Sequence, residues 1–253
     1  MKVFSYNVNG IRASMTRGLL DWISESQCDI LCFQELKATI DQFDVNKFIE
    51  MGYNPIWNSA QKKGYSGVAL LSKQKPDNVI IGIGKSIFDD EGRVIRADFG
   101  DITQISVYVP SGSMGDIRQA FKMEFLDAFY HYIKELLKTR PSLIISGDFN
   151  ICHKPIDINH PERHNDSSGF LPEEREWLSS FLELGLIDTF REFNSQPDQY
   201  SWWSYRQNSR MKNLGWRIDY NFVSEKLRSN LKSAGILQEA VHSDHCPVVV
   251  ELI

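Results

Sequence analysis

Four short stretches of the chain set carboxylates, carboxamides and one imidazole directly beside apolar runs. Tyr6-Asn7-Val8-Asn9-Gly10 closes the first run, and Ile30-Leu31-Cys32-Phe33 passes straight into Gln34-Glu35. Ile144-Ile145-Ser146-Gly147 leads into Asp148-Phe149-Asn150, and Ser243-Asp244-His245 precedes the last apolar run. In a strand, residues two apart share a face, so Asn7 with Asn9 and Asp148 with Asn150 project in pairs. Singly, an Asp or Asn at a strand end commonly makes a turn with its own backbone. As a set, oxygen donors and an imidazole without cysteine favour a hard cation, Mg²⁺ with Mn²⁺ as substitute, over zinc. Glu35 and Asp244 are the best ligand candidates, because Mg²⁺ takes one or two carboxylates and keeps several waters. What Mg²⁺ does in such a site is neutralise phosphate oxygens and stabilise a leaving oxyanion.

A second segment carries a different chemistry. Residues 199–218 interleave Tyr200, Trp202, Trp203, Tyr205 and Trp216 with Arg206, Arg210, Lys212 and Arg217, and contain no acid. The chain as a whole has a net charge of −5 and a pI near 5.7, which excludes coating of nucleic acid by bulk positive charge. Against that background the local reversal of sign reads as a nucleic-acid site, aromatics on sugar or base faces and basic groups on phosphates. The alternative is an aromatic core cluster with solvated arginines.

These groups need a scaffold that brings distant strand ends together. Apolar runs of five to eight residues alternate with helix-period stretches, the pattern of an α/β chain. Strands are expected over residues 2–8, 29–33, 67–71, 78–83, 102–109, 142–146, 217–223 and 247–253, enough for two packed sheets. Leu19, Leu20, Trp22 and Ile23 form one helix face, and Phe121, Phe125, Leu126, Phe129, Ile133 and Leu137 a longer one. A third helix starts at Pro172, with Glu173 and Glu174 in its first turn, and ends at Gly185. Residues 151–170 and 198–216 show no period and read as binding loops. At 253 residues and 42% hydrophobic the chain is expected to form one domain over 1–253, with a core that needs no disulfide or metal. Cys28, Cys32, Cys152 and Cys246 form no CxxC pair and read as reduced thiols. With no leader and no long apolar run, the expected location is cytoplasmic, with no membrane partner.

The motifs resemble one family. Ser5-Tyr6-Asn7-Val8-Asn9-Gly10-Ile11-Arg12, Leu31-Cys32-Phe33-Gln34-Glu35-Leu36-Lys37, Val107-Tyr108-Val109-Pro110, Gly147-Asp148-Phe149-Asn150, Trp216-Arg217-Ile218-Asp219-Tyr220 and Ser243-Asp244-His245-Cys246-Pro247 are similar, in order, to those of exonuclease III and the animal abasic endonucleases. Gly169-Phe170-Leu171-Pro172-Glu173-Glu174-Arg175-Glu176-Trp177 resembles the DNA-repair branch of the wider endonuclease/exonuclease/phosphatase superfamily in particular. The resemblance implies a DNase-I-like four-layered α/β sandwich, two mixed sheets packed face to face between helices. It implies an Mg²⁺-dependent nuclease that cuts 5′ to an abasic site in duplex DNA and also trims blocked 3′ ends, working as a monomer. By resemblance Glu35 is the principal metal ligand, with Asp244 and Asn9 near it; some relatives carry Asp at the Asn9 position. Asp148 orients or deprotonates the attacking water, Asn150 positions nucleophile and phosphate, His245 contacts the scissile phosphate, and Asp219 holds that imidazole. Tyr108 and Asn7 complete the phosphate shell, while Trp202, Trp216 and Ile218 line a pocket for a base-free deoxyribose. Arg12, Arg17, Lys62, Lys63, Tyr65 and the loop 111–115 are expected to touch DNA, with Trp203, Arg206, Arg210, Lys212 and Arg217 from the aromatic segment. Met114, His164 and Ser167 depart from the family pattern. Two rivals are a phosphodiesterase acting on small molecules and a catalytically silent DNA-binding module.

Overall fold

Strands that are apolar at every position, rather than at alternate ones, must be covered on both faces. The central strands of this chain come near that kind, apolar on both faces with a few Ser, Thr, Gln and Asn between and buried at nearly every position, and the computed structural model, which describes residues 1–253, shows what covers them. The strands are β1 (Lys2–Asn7), β2 (Ile30–Gln34), β3 (Asn54–Asn58), β4 (Val68–Ser72), β5 (Asn78–Ile81), β6 (Val94–Phe99), β7 (Ile102–Tyr108), β8 (Ser142–Asp148), β9 (Leu186–Asp188), β10 (Trp202–Trp203), β11 (Gly215–Trp216), β12 (Asp219–Ser224), β13 (Leu231–Ile236) and β14 (Val248–Leu252). The helices are α1 (Ile11–Thr16), α2 (Leu19–Ser26), α3 (Asn46–Glu50), α4 (Ser86–Asp89), α5 (Asp116–Thr139), α6 (Pro172–Leu182) and α7 (Thr189–Phe193).

One six-stranded sheet runs β13-β14-β1-β2-β4-β3 and the other β5-β6-β7-β8-β12-β9. Both are mixed, with β1 parallel to β2 and β7 parallel to β8. Their facing sides bury Val3, Cys32, Leu70, Ile95, Ile144, Val223 and Val250. On the outer side of the first sheet, Leu19 and Ile23 of α2 and Phe48 of α3 pack on Phe4, Leu31, Phe33 and Leu71. On the outer side of the second, Phe125, Phe129 and Ile133 of α5 and Leu178 and Phe181 of α6 pack on Ile105, Ile145, Phe149 and Phe222. The layers are therefore helix, sheet, sheet, helix, as expected. Each such side chain contributes about 1.5–3 kcal/mol on full burial, which explains why no crosslink is needed. All four cysteines are free and buried. No helix is long and apolar enough to cross a membrane.

Register gathers the polar strand ends at one edge. Asn7 pairs with Gln34 across the parallel β1–β2 ladder, which leaves Glu35 as the next residue out. Tyr108 pairs with Asp148, and Asp148 with Asp219, because β8 lies between β7 and β12. Gly147 permits this crowding: a Cβ there would lie 2.0 Å from the Val107 carbonyl oxygen. Several elements escaped the sequence pattern: β3, β6, β9 and β13 were not expected. The expected strand at 217 begins two residues later, at Asp219. Residues 151–170 and 198–216 hold short 3₁₀ turns and the two-stranded β10–β11 ribbon.

Candidate active site

The carboxylates meet where the two sheets face each other at this edge. Asn7, wholly buried, donates through Nδ2 to Glu35 Oε1 at 2.9 Å and to Asp148 Oδ2 at 2.8 Å, so one amide bridges the first sheet to the second. Glu35, Asp148 and His245 each offer a donor atom within 4.8 Å of the others. His245 Nδ1 lies 2.9 Å from Asp219 Oδ2, which also accepts from Ser201 Oγ at 2.7 Å. The other imidazole nitrogen, Nε2, is 3.9 Å from Asp148 Oδ2. Asn150 donates its backbone N–H to Asp148 Oδ1 at 2.8 Å and its side-chain Nδ2 to the Val109 carbonyl at 3.0 Å.

A second row lies beside the first. Asn9 Nδ2 donates to Asp244 Oδ1 at 2.8 Å, and Trp202 Nε1 to Asp244 Oδ2 at 3.1 Å. Lys37 Nζ lies 2.7 Å from Glu35 Oε2 and donates to Asn9 Oδ1 at 2.5 Å. These oxygens converge on a positive ammonium, so the set is one that stabilises positive charge. Oxygen donors from Glu, Asp and Asn suit a hard divalent ion, so the residues fit the metal that the motifs imply. Asn9, Glu35, Lys37 and Asn150 all have φ between 44° and 53°, an uncommon region for side-chain-bearing residues and typical of strain held at functional sites.

Electrostatics follow from burial and crowding. Burial, then the Asp219 charge, pushes the Asp148 carboxyl up to about 8. Burial alone would lower His245, but the Asp219 carboxylate outweighs it and holds the imidazole up at about 10. For Glu35 burial acts upward and the Lys37 ammonium outweighs it, so its carboxyl lies below the ordinary value. Tyr108 is raised by burial and by the Glu35 and Asp148 charges, so its phenol stays a donor. Asp219 Oδ1 is buried without a hydrogen-bond partner.

These groups open into a cavity of about 280 Å³ lined by Glu35, Tyr108, Asn150, Asp244 and His245 on one side and Trp202, Trp216 and Ile218 on the other. The two tryptophans meet edge to face at 5.9 Å, and Cys152, Ile158 and Phe170 back them. His164 packs on Trp216 at 5.0 Å, a neighbour that sequence alone did not suggest. A larger depression of about 570 Å³, among Pro155, His160, Tyr200 and Lys212, shares no residue with this cavity.

Other expected DNA contacts divide sharply. Arg12, Arg206 and Lys212 are exposed, and Tyr65 is half-buried, its hydroxyl accepting from Arg93 and Arg118. Three of the residues read as contacts are engaged within the protein instead. Arg217 is 1% exposed, with its guanidinium on Asp157 and Asp188; it follows Trp216 in an extended chain and so points to the opposite side. Arg210 gives its guanidinium to the carbonyls of Gln238, Ala240 and Ser243 and stacks over Trp203, which ties down the loop before Asp244. Trp203 is itself buried and donates to Asn213 Oδ1. Lys37 and Ser201 are site residues that sequence reasoning passed over. For Lys37 the signal was present, a base two residues after Glu35, whereas nothing local marks Ser201.

Comparison with known proteins gives a consistent picture. The model of the Endonuclease/Exonuclease/phosphatase family matches residues 4–245. The exodeoxyribonuclease of Bacillus subtilis is 43% identical over 252 residues, 98% of each chain. An AP endonuclease structure from Archaeoglobus fulgidus superposes with a TM-score of 0.92 at 30% identity, over 100% of this chain and 99% of that one. A Neisseria 3′ phosphatase solved with a product DNA hairpin gives 0.94 at 29% identity, over 100% and 99%.

Proposed function

We infer the reaction from one premise: the chain belongs to the endonuclease/exonuclease/phosphatase family. It is a DNA-repair nuclease, a metal-dependent phosphodiesterase. Its substrate is duplex DNA with an abasic site or a blocked 3′ end. It hydrolyses the phosphodiester 5′ to the abasic site, leaves a 3′-hydroxyl, and also removes nucleotides and blocking groups from 3′ ends. Residues 1–253 act as one domain and as a monomer.

The observation that carries this reading is that Glu35 and His245, with Asp148 clustered behind them, line the same cavity as Trp202 and Trp216. A flipped base-free sugar costs least to extrude, and a small aromatic pocket excludes an intact nucleotide. Glu35 and Asp244, with Asn9 beside them, would hold Mg²⁺ or, in its place, Mn²⁺. When bound, the ion neutralises phosphate oxygen charge and stabilises the departing oxyanion.

The chain's own groups do the rest. His245 Nε2, Tyr108 and the Asn150 amide face the scissile phosphate, where charge builds in the transition state, while Asn7, read from the motif as a phosphate contact, is buried and spends its amide on Glu35 and Asp148 instead. Asp219 fixes the imidazole through Nδ1, which leaves Nε2 to point at the phosphate. Asp148, whose raised pKa suits a base working near neutrality, takes a proton from the attacking water. The new bond joins water oxygen to phosphorus, the bond from phosphorus to the 3′-oxygen breaks, and a proton ends on that oxygen. The upstream strand then carries a 3′-hydroxyl and the abasic sugar a 5′-phosphate.

The test uses a 5′-labelled duplex with one abasic-site analogue and a matched intact duplex, in Mg²⁺ and in EDTA. Mg²⁺-dependent incision on the 5′ side of the lesion is expected. Binding without cleavage would instead identify a silent module, and neither would point to a small phosphodiester.

A further inference from the structure

The most completely buried ion pair of the molecule has no place in the reaction just described. Lys122 of α5 and Glu174 of α6 are both 0% exposed, with Nζ 2.5 Å from Oε1. Such a pair is poor evidence for stability, since its desolvation cost rivals its attraction and apolar replacements of similar volume are often neutral or stabilising. What it touches is more informative. Lys122 Nζ also donates to the backbone carbonyl of Asn150 at 2.8 Å. Asn150 lies two residues beyond β8 with φ 51°, and its carbonyl is held by Lys122 while its N–H is held by Asp148 Oδ1.

Glu174 holds the other side. Its Oε2 accepts from the backbone N–H groups of Gly169 at 2.6 Å and Leu171 at 3.0 Å, and its Oε1 from Gln119 Nε2 at 3.0 Å. Ser168 and Gly169 line the catalytic cavity. Gly169 has φ 99°, and a Cβ there would lie 2.8 Å from Trp216 Cζ3, so this stretch is pressed against the pocket's aromatic wall. One carboxylate and one ammonium thus join the residue that meets the phosphate to the wall that meets the sugar.

We propose that Lys122 and Glu174 are a positioning pair, which locks Asn150 and the 168–171 wall into one relative geometry and so governs both turnover and selectivity for abasic DNA. The inference rests on the reaction proposed above. It predicts that the pair can be removed without unfolding the protein but not without slowing it.

The test is the double variant Lys122→Met with Glu174→Gln, which removes both charges and keeps an amide oxygen for the Gly169 and Leu171 N–H groups. At a thermal midpoint within a few degrees of wild type, kcat is expected to fall about 10–100-fold with KM held within about two-fold, the scale of a misplacement near 1 Å. A second double variant, Lys122→Met with Glu174→Leu, also strands those N–H groups and should lower the ratio of abasic to intact cleavage further. A folded first variant with unchanged kcat overturns the proposal. Failure of both variants to fold also overturns it, by assigning the pair to stability. Turnover is measured on an abasic duplex and on a recessed 3′ end. If wild type trims the end but ignores the lesion, the abasic reading fails, while the variant-to-wild-type ratio on the 3′ end still decides the pair.

Discussion

Two groups of buried carboxylates lie on opposite sides of the aromatic wall, and they are treated in opposite ways. Behind the wall, Asp157 accepts from Arg217 Nε at 2.8 Å and from Arg191 at 2.6 Å, while Arg217 also reaches Asp188 Oδ2 at 2.7 Å. Two guanidiniums meet two carboxylates, and although burial acts upward on Asp157, the Arg217 charge holds its carboxyl below the ordinary value. In front of the wall, Asp148, Asp219 and Glu35 crowd together with one imidazole, and Asp148 is pushed up to about 8. The only ammonium there, Lys37, sits on the far oxygen of Glu35 and on Asn9. Behind the wall each carboxylate has its guanidinium and builds structure; in front Lys37 serves Glu35 and His245 serves Asp219, which leaves Asp148 as the carboxyl whose ionisation burial and crowding oppose, the mark of a functional group.

The largest expected effect breaks the front cluster. Asp148→Asn should lower incision by about 10³–10⁴-fold, the range of a lost general base together with disturbed phosphate contacts. DNA affinity should change little, because the group serves the transition state. The same substitution puts a neutral amide where burial and Asp219 already oppose an ionised carboxylate, so the thermal midpoint should hold near neutral pH and rise by a few degrees above pH 8. Activity is read on the abasic duplex and stability by calorimetry. A fall in midpoint would show that Asp148 is compensated after all, and the contrast between the two clusters would collapse.

Arg217→Met is the converse experiment. It leaves the buried Asp157 with Arg191 alone and the half-buried Asp188 without a guanidinium, and should cost about 3 kcal/mol of stability in urea unfolding. Incision per folded molecule should stay within a few-fold, since the guanidinium points away from the cavity. The pH dependence has a definite sign. Asp157 is depressed in the folded state, so its contribution is present above the unfolded value near 4 and is lost as pH falls through the folded one. The deficit of the variant relative to wild type should therefore shrink toward acid. A deficit independent of pH would mean that packing against Tyr220, 4.5 Å away, matters more than charge.

The same contrast marks what a sequence reveals. Asn7, Glu35, Asp148, Asn150, Asp244 and His245 were legible because polar groups abruptly end apolar runs, and strand geometry then fixes their side. The layers were legible from α5 and α6, whose apolar faces repeat with helical period. Residues 199–218 were legible only as a composition. Composition does not say which way a side chain points, so Arg217 and Arg210 read as DNA contacts although one faces inward and the other clamps a loop. Edge strands such as β3 and β13 are partly solvated and carry mixed sequences, which hides their period. Lys122 and Glu174 lie 52 residues apart on ordinary-looking helices, and only tertiary packing makes them partners.

The smallest expected effect concerns the wall itself. Trp216 and Arg217 are neighbours in the chain with opposite orientations, so one residue can be changed on each side of the same backbone. Trp216→Ala opens the cavity, removes the edge contact with Trp202 and the packing of His164, and leaves the Asp157 and Asp188 network in place. Aromatic contacts to nucleic acid are worth about 1–3 kcal/mol each, so preference for abasic over intact duplex should fall by roughly ten-fold while general duplex affinity changes less. Competition binding with the two duplexes measures both quantities in one titration. An equal loss on both would show that Trp216 grips DNA indiscriminately; a loss on the abasic duplex alone would mean that the wall reads the lesion while the arginine behind it only holds the wall upright.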